Sequence, residues 1–234
     1  MLFNELCTIL EEQPRWYRIR LESDGQEGWA DAKMICPMKP EEYAQHQEAL
    51  KTAAMVAMPM AYAVSENNGQ TIPLTAGTKL TNYKEGRFEV LGVGFRIDPS
   101  MVITKSLDLN EQNLLQAVRF FLNIPYLWGG KNAMGMDCSG FTQIVMSLFG
   151  KKLPRNASEQ ASCGHEITTL SKSKAGDLVF FEKTYDTDGA SHVGIYVGNN
   201  TMIHCGNPIK YGRIDTRYFK AHFLCFGRLP FYDD

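Results

Sequence analysis

The junction of a turn and a helix at Asp137-Cys138 constrains the fold of this chain more than any other feature of the sequence. From Phe141 onward, apolar residues recur at intervals of three and four, which predicts one face of a helix that ends at Gly150. This spacing places Cys138 at the N-terminus of the helix or within one residue of it. Unpaired backbone N–H groups and the positive end of the helix dipole favour a thiolate there. The sequence therefore predicts a chemically primed thiol at the start of a helix.

Two histidines downstream lie on a predicted β-hairpin. Apolar residues alternate from His192 to Val197, and Gly198-Asn199-Asn200 predicts a turn before a second short strand. With the turn centred on Asn199, position 194 faces His204, so the two histidines become diagonal neighbours on one face. A slip of one residue would put them on opposite faces. In the predicted register we expect His192 to take the thiol proton and His204 to fix its tautomer.

The same residues also have structural and metal-binding interpretations. Cys138 is a candidate for a small buried hydrophobe, and His192 for a core or edge histidine with satisfied hydrogen bonds. With His204 and Cys205 they also form a candidate zinc set, because thiolate and imidazole are the ligands that zinc prefers. However, no Cys-x-x-Cys or His-x-x-x-His spacing accompanies them, and Cys205 is predicted on the opposite strand face from His204. We predict no metal and no organic cofactor.

Composition and charge favour an ordinary soluble enzyme. The 234 residues include 24 Lys and Arg against 26 Asp and Glu, a formal net charge of -2. The chain therefore lacks the excess positive charge that attracts nucleic acid. No run of about eighteen apolar residues occurs, so we expect no membrane span. The first residues lack a signal-peptide pattern, and six irregularly spaced cysteines fit a reducing compartment. We expect a cytoplasmic monomer, with export as the alternative if a signal segment is missing from this chain.

The organisation of the sequence changes near residue 107. Before it, short segments rich in strand formers alternate with turns, which predicts small β-barrels over 1–36 and 55–107. The segment 37–54 contains a plausible helix start at Pro40 and is predicted as a helical linker. After it, 108–234 is predicted as the catalytic domain, and Asp108-x-x-Glu111 is typical of a helix start. All the catalytic candidates lie in this last segment.

The catalytic segment also carries a series of ordered motifs. They are Pro125-Tyr126-Leu127-Trp128-Gly129-Gly130, Asp137-Cys138-Ser139-Gly140-Phe141, residues 153–160 (LPRNASEQ), residues 175–181 (AGDLVFF), residues 192–198 (HVGIYVG) and Met202-Ile203-His204. In these motifs the segment resembles the NlpC family of papain-like cysteine peptidases. The resemblance implies an α+β fold in which the helix that bears the cysteine packs on an antiparallel sheet. It also implies that Cys138 is the nucleophile, His192 its general base and His204 the residue that orients the base.

The N-terminal segments resemble bacterial SH3-type barrels. Residues 10–20 and 24–29 are similar to the middle and end of one such module, and residues 55–106 resemble a more divergent second one. The resemblance implies that the first barrel is incomplete, because its opening strand has no counterpart. We expect Trp16 and Trp29 to fill a barrel core.

Barrels before an NlpC domain resemble the γ-D-glutamyl-L-diamino acid endopeptidases of murein recycling, the dipeptidyl-peptidase VI type. The resemblance implies hydrolysis of the bond between D-glutamate and the diamino acid in L-Ala-γ-D-Glu-diamino acid peptides with a free N-terminal L-alanine. It implies that the first barrel helps to close the substrate pocket. Tyr126, Trp128, Asp137 and Ser139 match pocket positions of this subgroup, and Asp137 is expected to pair with the substrate's ammonium group.

Two other functions remain open on the sequence. An endopeptidase or amidase of this family would act on intact peptidoglycan, with the barrels tethering the wall polymer. A non-catalytic wall-binding module would keep the fold without the chemistry. The intact set of Cys138, His192 and His204 disfavours the second, because pure binding needs no reactive thiol.

Overall fold

The structure, a computed structural model, describes residues 1–185 and 189–229. The chain divides into two units, Met1–Lys105 and Ser106–Asp234. Both contain strands and helices, and no described helix has the length and apolar character that crossing a bilayer requires. The two units are described separately below.

The first unit consists of short antiparallel sheets and one helix. Its elements are β1 (Cys7–Gln13), β2 (Trp16–Leu21), β3 (Glu27–Asp31), α1 (Pro40–Lys51), β4 (Ala54–Val56), β5 (Met60–Ser65), β6 (Thr71–Thr75), β7 (Lys79–Leu80), β8 (Arg87–Val90), β9 (Val93–Ile97) and β10 (Val102–Ile103). The strands form three sheets, in the orders β1-β2-β3, β6-β5-β9-β8 and β10-β4-β7. Small antiparallel sheets of this kind confirm the expected SH3-type architecture.

The apolar core of the first unit lies among its later strands. Phe88 and Phe95 stack with their ring centroids 5.1 Å apart, and Leu74 and Leu80 are buried in the same cluster. Alternate residues of β5 and β8 point into this cluster, as expected for strands with one face on a core. The core therefore follows from the two-residue periodicity of the strands.

The expectation that Trp16 and Trp29 fill a barrel core is wrong. They are 46% and 48% exposed, whereas Ile19 and Leu21 of β2 are buried. Trp16 is two residues before Arg18 on β2, so their side chains point to the same face. Trp29 is directly opposite Arg18 in the pairing of β2 with β3. Successive residues of a strand point to opposite faces, so both tryptophans share the polar face with the arginine.

The second unit contains the helix predicted to bear the nucleophile and a six-stranded antiparallel sheet. Its elements are α2 (Glu111–Arg119), β11 (Lys131–Asn132), β12 (Gly135–Met136), α3 (Cys138–Leu148), α4 (Ala157–Gln160), β13 (His165–Ile167), β14 (Leu178–Glu182), β15 (Ala190–Gly198), β16 (Thr201–Cys205), β17 (Ile209–Arg213), α5 (Arg217–His222) and β18 (Phe223–Arg228). The sheet order is β13-β18-β14-β15-β16-β17, and β11 and β12 form a separate hairpin. This architecture confirms the predicted α+β fold with a helix packed on an antiparallel sheet.

Helix α3 is buried on nearly all sides. Each of its residues from Cys138 to Met146 is buried, and the helix packs against β15 and β16. A helix that is apolar all round belongs inside a domain. Gly140 allows the close packing, because a Cβ at that position would collide with the carbonyl oxygen of Gly130.

The start of α2 differs from the prediction. The N-cap is Asn110, whose side-chain oxygen accepts a hydrogen bond from the backbone N–H of Asn113 at 2.8 Å. Asp108 instead offers its backbone carbonyl to the side chain of Asn113. Asp and Asn are comparable N-caps, so the local pattern alone does not choose between residues 108 and 110.

We expect Phe88→Ala to lower the free energy of unfolding by about 3–5 kcal/mol, because it removes a fully buried ring from the core of the first unit. Tyr62→Ala is the matched control, since Tyr62 is an aromatic residue of the same unit that is 63% exposed. We expect that change to cost about 1 kcal/mol or less. Urea denaturation followed by circular dichroism measures both, and equal losses would contradict the assigned core.

Candidate active site

Cys138 is the first residue of α3, and Asp137 is the N-cap of that helix. The Oδ1 atom of Asp137 accepts a hydrogen bond from the backbone N–H of Gly140 at 2.7 Å. This N-cap satisfies one of the free N–H groups of the first turn and fixes where the helix begins. The predicted position of Cys138 at the helix N-terminus is therefore confirmed.

The Asp137 carboxylate also forms a buried ion pair with Arg155. Arg155 donates from Nη1 to Oδ1 at 2.9 Å and from Nη2 to Oδ2 at 2.7 Å. The backbone N–H of Gly129 donates to Oδ2 at 2.9 Å. With the Gly140 bond, each carboxylate oxygen accepts two strong hydrogen bonds, which fills the four acceptor positions of the group.

These contacts give Asp137 a structural role at the start of α3. A substrate ammonium group would meet carboxylate oxygens that each already accept two strong hydrogen bonds. Ser139 belongs to the same buried network, because its hydroxyl lies 3.4 Å from Asp137 Oδ1 and accepts from Arg155 Nη1 at 3.1 Å. The structure thus makes Asp137 and Ser139 parts of the framework that holds the start of α3.

The two histidines meet as the hairpin register predicts. Gly194 is directly opposite His204 in the pairing of β15 with β16. His192 Nε2 lies 2.8 Å from His204 Nδ1, and the ring planes are 88° apart. A Cβ at residue 194 would lie 2.9 Å from the sulfur of Met202 and 3.1 Å from His204 Cβ. The absence of a side chain at Gly194 therefore leaves room for the Cβ of His204 and the side chain of Met202 on the neighbouring strand.

Burial keeps both histidines neutral at pH 7. It lowers the pKa of His192 to about 3, with a further contribution from His204. It also lowers the pKa of His204 to about 4, with a further contribution from the charge of Lys210, the cross-strand neighbour of His204. A single proton is therefore shared across the bond between the two rings, and its position defines the tautomers.

Only one of the two arrangements leaves His192 able to act as a base toward the thiol. If His192 Nε2–H donates to His204 Nδ1, the Nδ1 atom of His192 keeps a lone pair that can accept a proton. His204 then carries its own proton on Nε2, a buried atom that has no hydrogen-bond partner among the described residues. The other arrangement protonates His192 Nδ1 and removes the base.

The Cys138 sulfur lies beside the strand that carries His192. The backbone N–H of Val193, the residue after His192, and that of Ser139 donate toward the sulfur and favour the thiolate. Burial outweighs them and raises the pKa of the Cys138 thiol. Removing the sulfur from water therefore disfavours the charged form more than these donors favour it.

The structure also brings Tyr185 to the sulfur, which the sequence did not predict. In the described part of the chain, the side-chain hydrogen-bond partner of Cys138 is Tyr185, whose Oη lies 3.7 Å from Sγ, and not His192. The Tyr185 ring packs edge to face on Trp128 with centroids 5.6 Å apart. Tyr185 belongs to no recognisable motif and lies 47 residues from Cys138, so no local signal indicated it.

The remaining predicted pocket residues form the exposed side of the site. Trp128 is 69% exposed, which leaves its ring available to a substrate. Tyr126 is half-buried, and burial with the nearby Cys138 raises the pKa of its hydroxyl to about 12. Tyr126 therefore carries a neutral phenol that can donate or accept a hydrogen bond.

The zinc alternative finds no support in this geometry. Among residues 1–185 and 189–229, no three His, Cys, Asp or Glu side chains converge as a metal-binding group. Cys205 points away from the histidine pair and donates from Sγ to the backbone carbonyl of Met136 at 3.0 Å. Its position agrees with the predicted strand face.

We expect Gly194→Ala to lower the free energy of unfolding by about 1–3 kcal/mol, because the added methyl group overlaps Met202 and His204. Gly28→Ala is the matched control, a strand glycine with no atom within 4 Å of the added Cβ. That change should stay within about 0.5 kcal/mol of the original protein. Urea denaturation compares the two, and equal stabilities would show that the hairpin tolerates a side chain at residue 194.

Comparisons with known proteins identify relatives of this chain. The family model described as the NlpC/P60 family matches residues 123–228. The γ-D-glutamyl-L-lysine dipeptidyl-peptidase of Bacillus subtilis (strain 168) is 31% identical over 216 residues, which cover 87% of this chain and 70% of that protein. The bifunctional muramidase/DL-endopeptidase CwlT of the same strain is 39% identical over 126 residues, which cover 53% of this chain and 38% of CwlT.

A solved structure shares the fold. The crystal structure of an NlpC/P60 family protein from Bacillus cereus ATCC 10987 matches with a TM-score of 0.83 at 19% identity, covering 96% of this chain and 79% of that chain. The family match spans α3 and the strands that carry both histidines. The chain therefore belongs to the NlpC/P60 family, whose members are cysteine peptidases that hydrolyse peptidoglycan.

Proposed function

We propose that this protein hydrolyses the bond between γ-D-glutamate and the diamino acid in murein peptides that carry a free N-terminal L-alanine. The observation that carries the proposal is the neutral His192–His204 pair, held at 2.8 Å on the strands next to Cys138. A relative named as a γ-D-glutamyl-L-lysine dipeptidyl-peptidase supports the substrate class. A dipeptidyl-peptidase removes two residues from a free N-terminus, which fits an L-Ala-γ-D-Glu product.

The first half of the reaction forms a tetrahedral intermediate on the Cys138 sulfur. The S–H bond of Cys138 breaks, its proton moves to His192 Nδ1, and the sulfur attacks the γ-carbonyl carbon of D-glutamate. His204 Nδ1 continues to accept from His192 Nε2–H, which holds the imidazolium ring in place. The first-turn N–H groups of α3 other than those of Gly140 and Phe141, which Asp137 already binds, stabilise the oxyanion together with the positive end of the helix dipole.

The second half of the reaction releases both products. His192 returns its proton to the departing amine of the diamino acid, and the acyl group stays on Cys138. Water then attacks the thioester carbonyl carbon, with His192 accepting a proton from that water. The C–S bond breaks, the L-Ala-γ-D-Glu product leaves as the free acid, and His192 returns the proton to the Cys138 sulfur. The thiol and the neutral histidine pair are restored, and no step needs a metal ion or an organic cofactor.

We expect Cys138→Ala to reduce hydrolysis of L-Ala-γ-D-Glu-L-Lys by a factor on the order of 10⁴ or more, because no other group can form the thioester. His192→Ala should be nearly as damaging. Mass spectrometry of the products measures both variants. Retention of more than about a hundredth of the original rate by Cys138→Ala would remove Cys138 as the nucleophile.

Substitutions of His204 test which of its ring atoms supports His192. The oxygen of asparagine sits close to the position of Nδ1, whereas the oxygen of glutamine sits close to that of Nε2. Because Nδ1 makes the bond, we expect His204→Asn to keep more activity than His204→Gln, and His204→Ala to lose on the order of a hundredfold. A higher kcat in His204→Gln than in His204→Asn would contradict this arrangement.

Acetylation of the substrate's L-alanine tests the requirement for a free amine. It removes a positive charge and adds bulk, so we expect kcat/KM to fall about a hundredfold, equal to about 2.7 kcal/mol. Equal values for the free and acetylated tripeptides would contradict the dipeptidyl-peptidase proposal.

Asp137→Asn separates recognition of the amine from support of the helix. The substitution leaves the buried Arg155 without its charge partner, so we expect a loss of about 3–5 kcal/mol of stability with an unchanged ratio between free and acetylated peptides. A ratio that collapses in this variant alone would show that Asp137 reads the ammonium group.

A second candidate function is that of an endopeptidase on intact peptidoglycan. It is favoured by the identity of 39% to CwlT, a DL-endopeptidase, over a segment about as long as the catalytic unit. Incubation with intact sacculi, followed by mass spectrometry of the soluble products, distinguishes the two functions. Release of peptides from sacculi together with poor turnover of the free tripeptide would favour the endopeptidase.

A further inference from the structure

Tyr185 has contacts at both ends of its side chain in the active site. Its hydroxyl oxygen lies 3.7 Å from the Cys138 sulfur, and its ring packs edge to face on Trp128. It follows β14 in the chain and is 37% exposed. The motifs that identified the site do not include it, and the steps proposed above do not use it.

We propose that Tyr185 is a further catalytic residue, whose hydroxyl donates a hydrogen bond to the Cys138 sulfur as the thiol loses its proton, and that Trp128 is a positioning residue for its ring. This inference rests on the proposed function for the assignment of Cys138 as the nucleophile. In this proposal, the backbone N–H groups described above and the Tyr185 side chain together stabilise the reacting sulfur.

The direction of the hydrogen bond follows from the protonation state of the sulfur. While Cys138 is a thiol, either the sulfur or the hydroxyl can be the donor. A thiolate has no proton, so the Tyr185 hydroxyl must then donate, and a bond to a charged acceptor is about twice as strong as a neutral one. The contact therefore favours the ionised form of the nucleophile.

The proton balance leaves Tyr185 unchanged. The proton of the Cys138 thiol goes to His192 Nδ1, the electron pair stays on the sulfur, and the phenolic O–H bond remains intact. Burial, followed by the nearby Cys138, raises the pKa of the Tyr185 hydroxyl above its ordinary value. The residue therefore stays a donor over the pH range in which the thiol ionises.

The other titratable groups around the sulfur do not perform this task. Asp137 raises the pKa of the Cys138 thiol through its negative charge. Burial and negative charge on Cys138 raise the pKa values of the Tyr126 hydroxyl and the Cys205 thiol. Among the described residues, however, neither side chain makes a hydrogen bond to the Cys138 sulfur. His192 is neutral and receives the proton. Tyr185 is thus the side chain in the described part of the chain that lowers the pKa of this thiol.

The test measures alkylation of Cys138 by iodoacetamide as a function of pH in the full chain. Peptide mass spectrometry follows Cys138 alone, which is necessary because Cys36 and Cys163 are exposed and also react. Tyr185→Phe keeps the ring and removes the hydroxyl, so we expect the midpoint of the Cys138 profile to rise by about one pH unit. The plateau rate at high pH should change by less than about threefold.

Two further variants complete the experiment. Tyr211→Phe removes the hydroxyl of an exposed tyrosine on β17 and should leave the midpoint unchanged. Trp128→Ala frees the Tyr185 ring from its edge-to-face contact and should raise the midpoint by less than Tyr185→Phe does. The double variant should match Tyr185→Phe, because Trp128 acts through Tyr185.

An unchanged midpoint in Tyr185→Phe would overturn the proposal. A higher plateau rate with an unchanged midpoint would also overturn it, since Tyr185 would then only cover the sulfur. Alkylation needs no peptide substrate, so this result stands apart from the proposed function. A shifted midpoint in a protein that hydrolyses no murein peptide would support the role of Tyr185 and reject the substrate.

Discussion

Gly194 lies directly opposite His204 in the pairing of β15 with β16, and the chemistry of the site depends on that register. The turn contains Asn199 and Asn200, both with positive φ as in a type I′ turn, and it pairs Gly198 with Thr201. The extra residue Val197, between Tyr196 and Gly198, forms a bulge that shifts the pairing by one residue and brings Gly194 opposite His204. Without this shift, His192 and His204 would lie on opposite faces of the sheet.

Burial governs the electrostatics of this arrangement. It raises the pKa of the Cys138 thiol and lowers the pKa values of His192 and His204, so that the three groups are neutral in the resting protein. In the proposed mechanism, proton transfer from sulfur to imidazole creates two charges in a poorly solvated site. Such charges form readily only where hydrogen-bond donors are already in place, and the N–H groups of Ser139 and Val193 and the Tyr185 hydroxyl are the donors at the sulfur.

The Asp137–Arg155 ion pair is the second interaction that holds the geometry of the site. Its carboxylate anchors the first turn of α3 and the loop at Gly129, and its acceptor positions are filled by these contacts. A buried pair of this kind holds geometry because loss of one partner leaves an uncompensated charge. Asp137 therefore positions the helix that carries Cys138.

Much of the catalytic unit was predictable because its signals are local. Apolar spacing, together with a capping Asp137, predicted where α3 begins, and strand alternation around the turn predicted the pairing of residues 194 and 204. The bulge at Val197, on which that pairing also depends, was not predicted. The start of α2 was misplaced by two residues because Asp108 and Asn110 are comparable caps at short range. Local patterns decide whether a helix or a strand forms. Where it begins depends on which of several neighbouring residues acts as the cap.

By itself, the sequence determined the helix that carries Cys138, the shared face of His192 and His204, and the family. The tertiary structure decided the ionisation of the thiol, the exposure of Trp16 and Trp29, and the contact of Tyr185 with the sulfur. The physical reason is the range over which each interaction acts along the chain. Helix caps, strand alternation and turns act over a few residues, whereas burial and contacts across 47 residues exist only after distant segments have packed together.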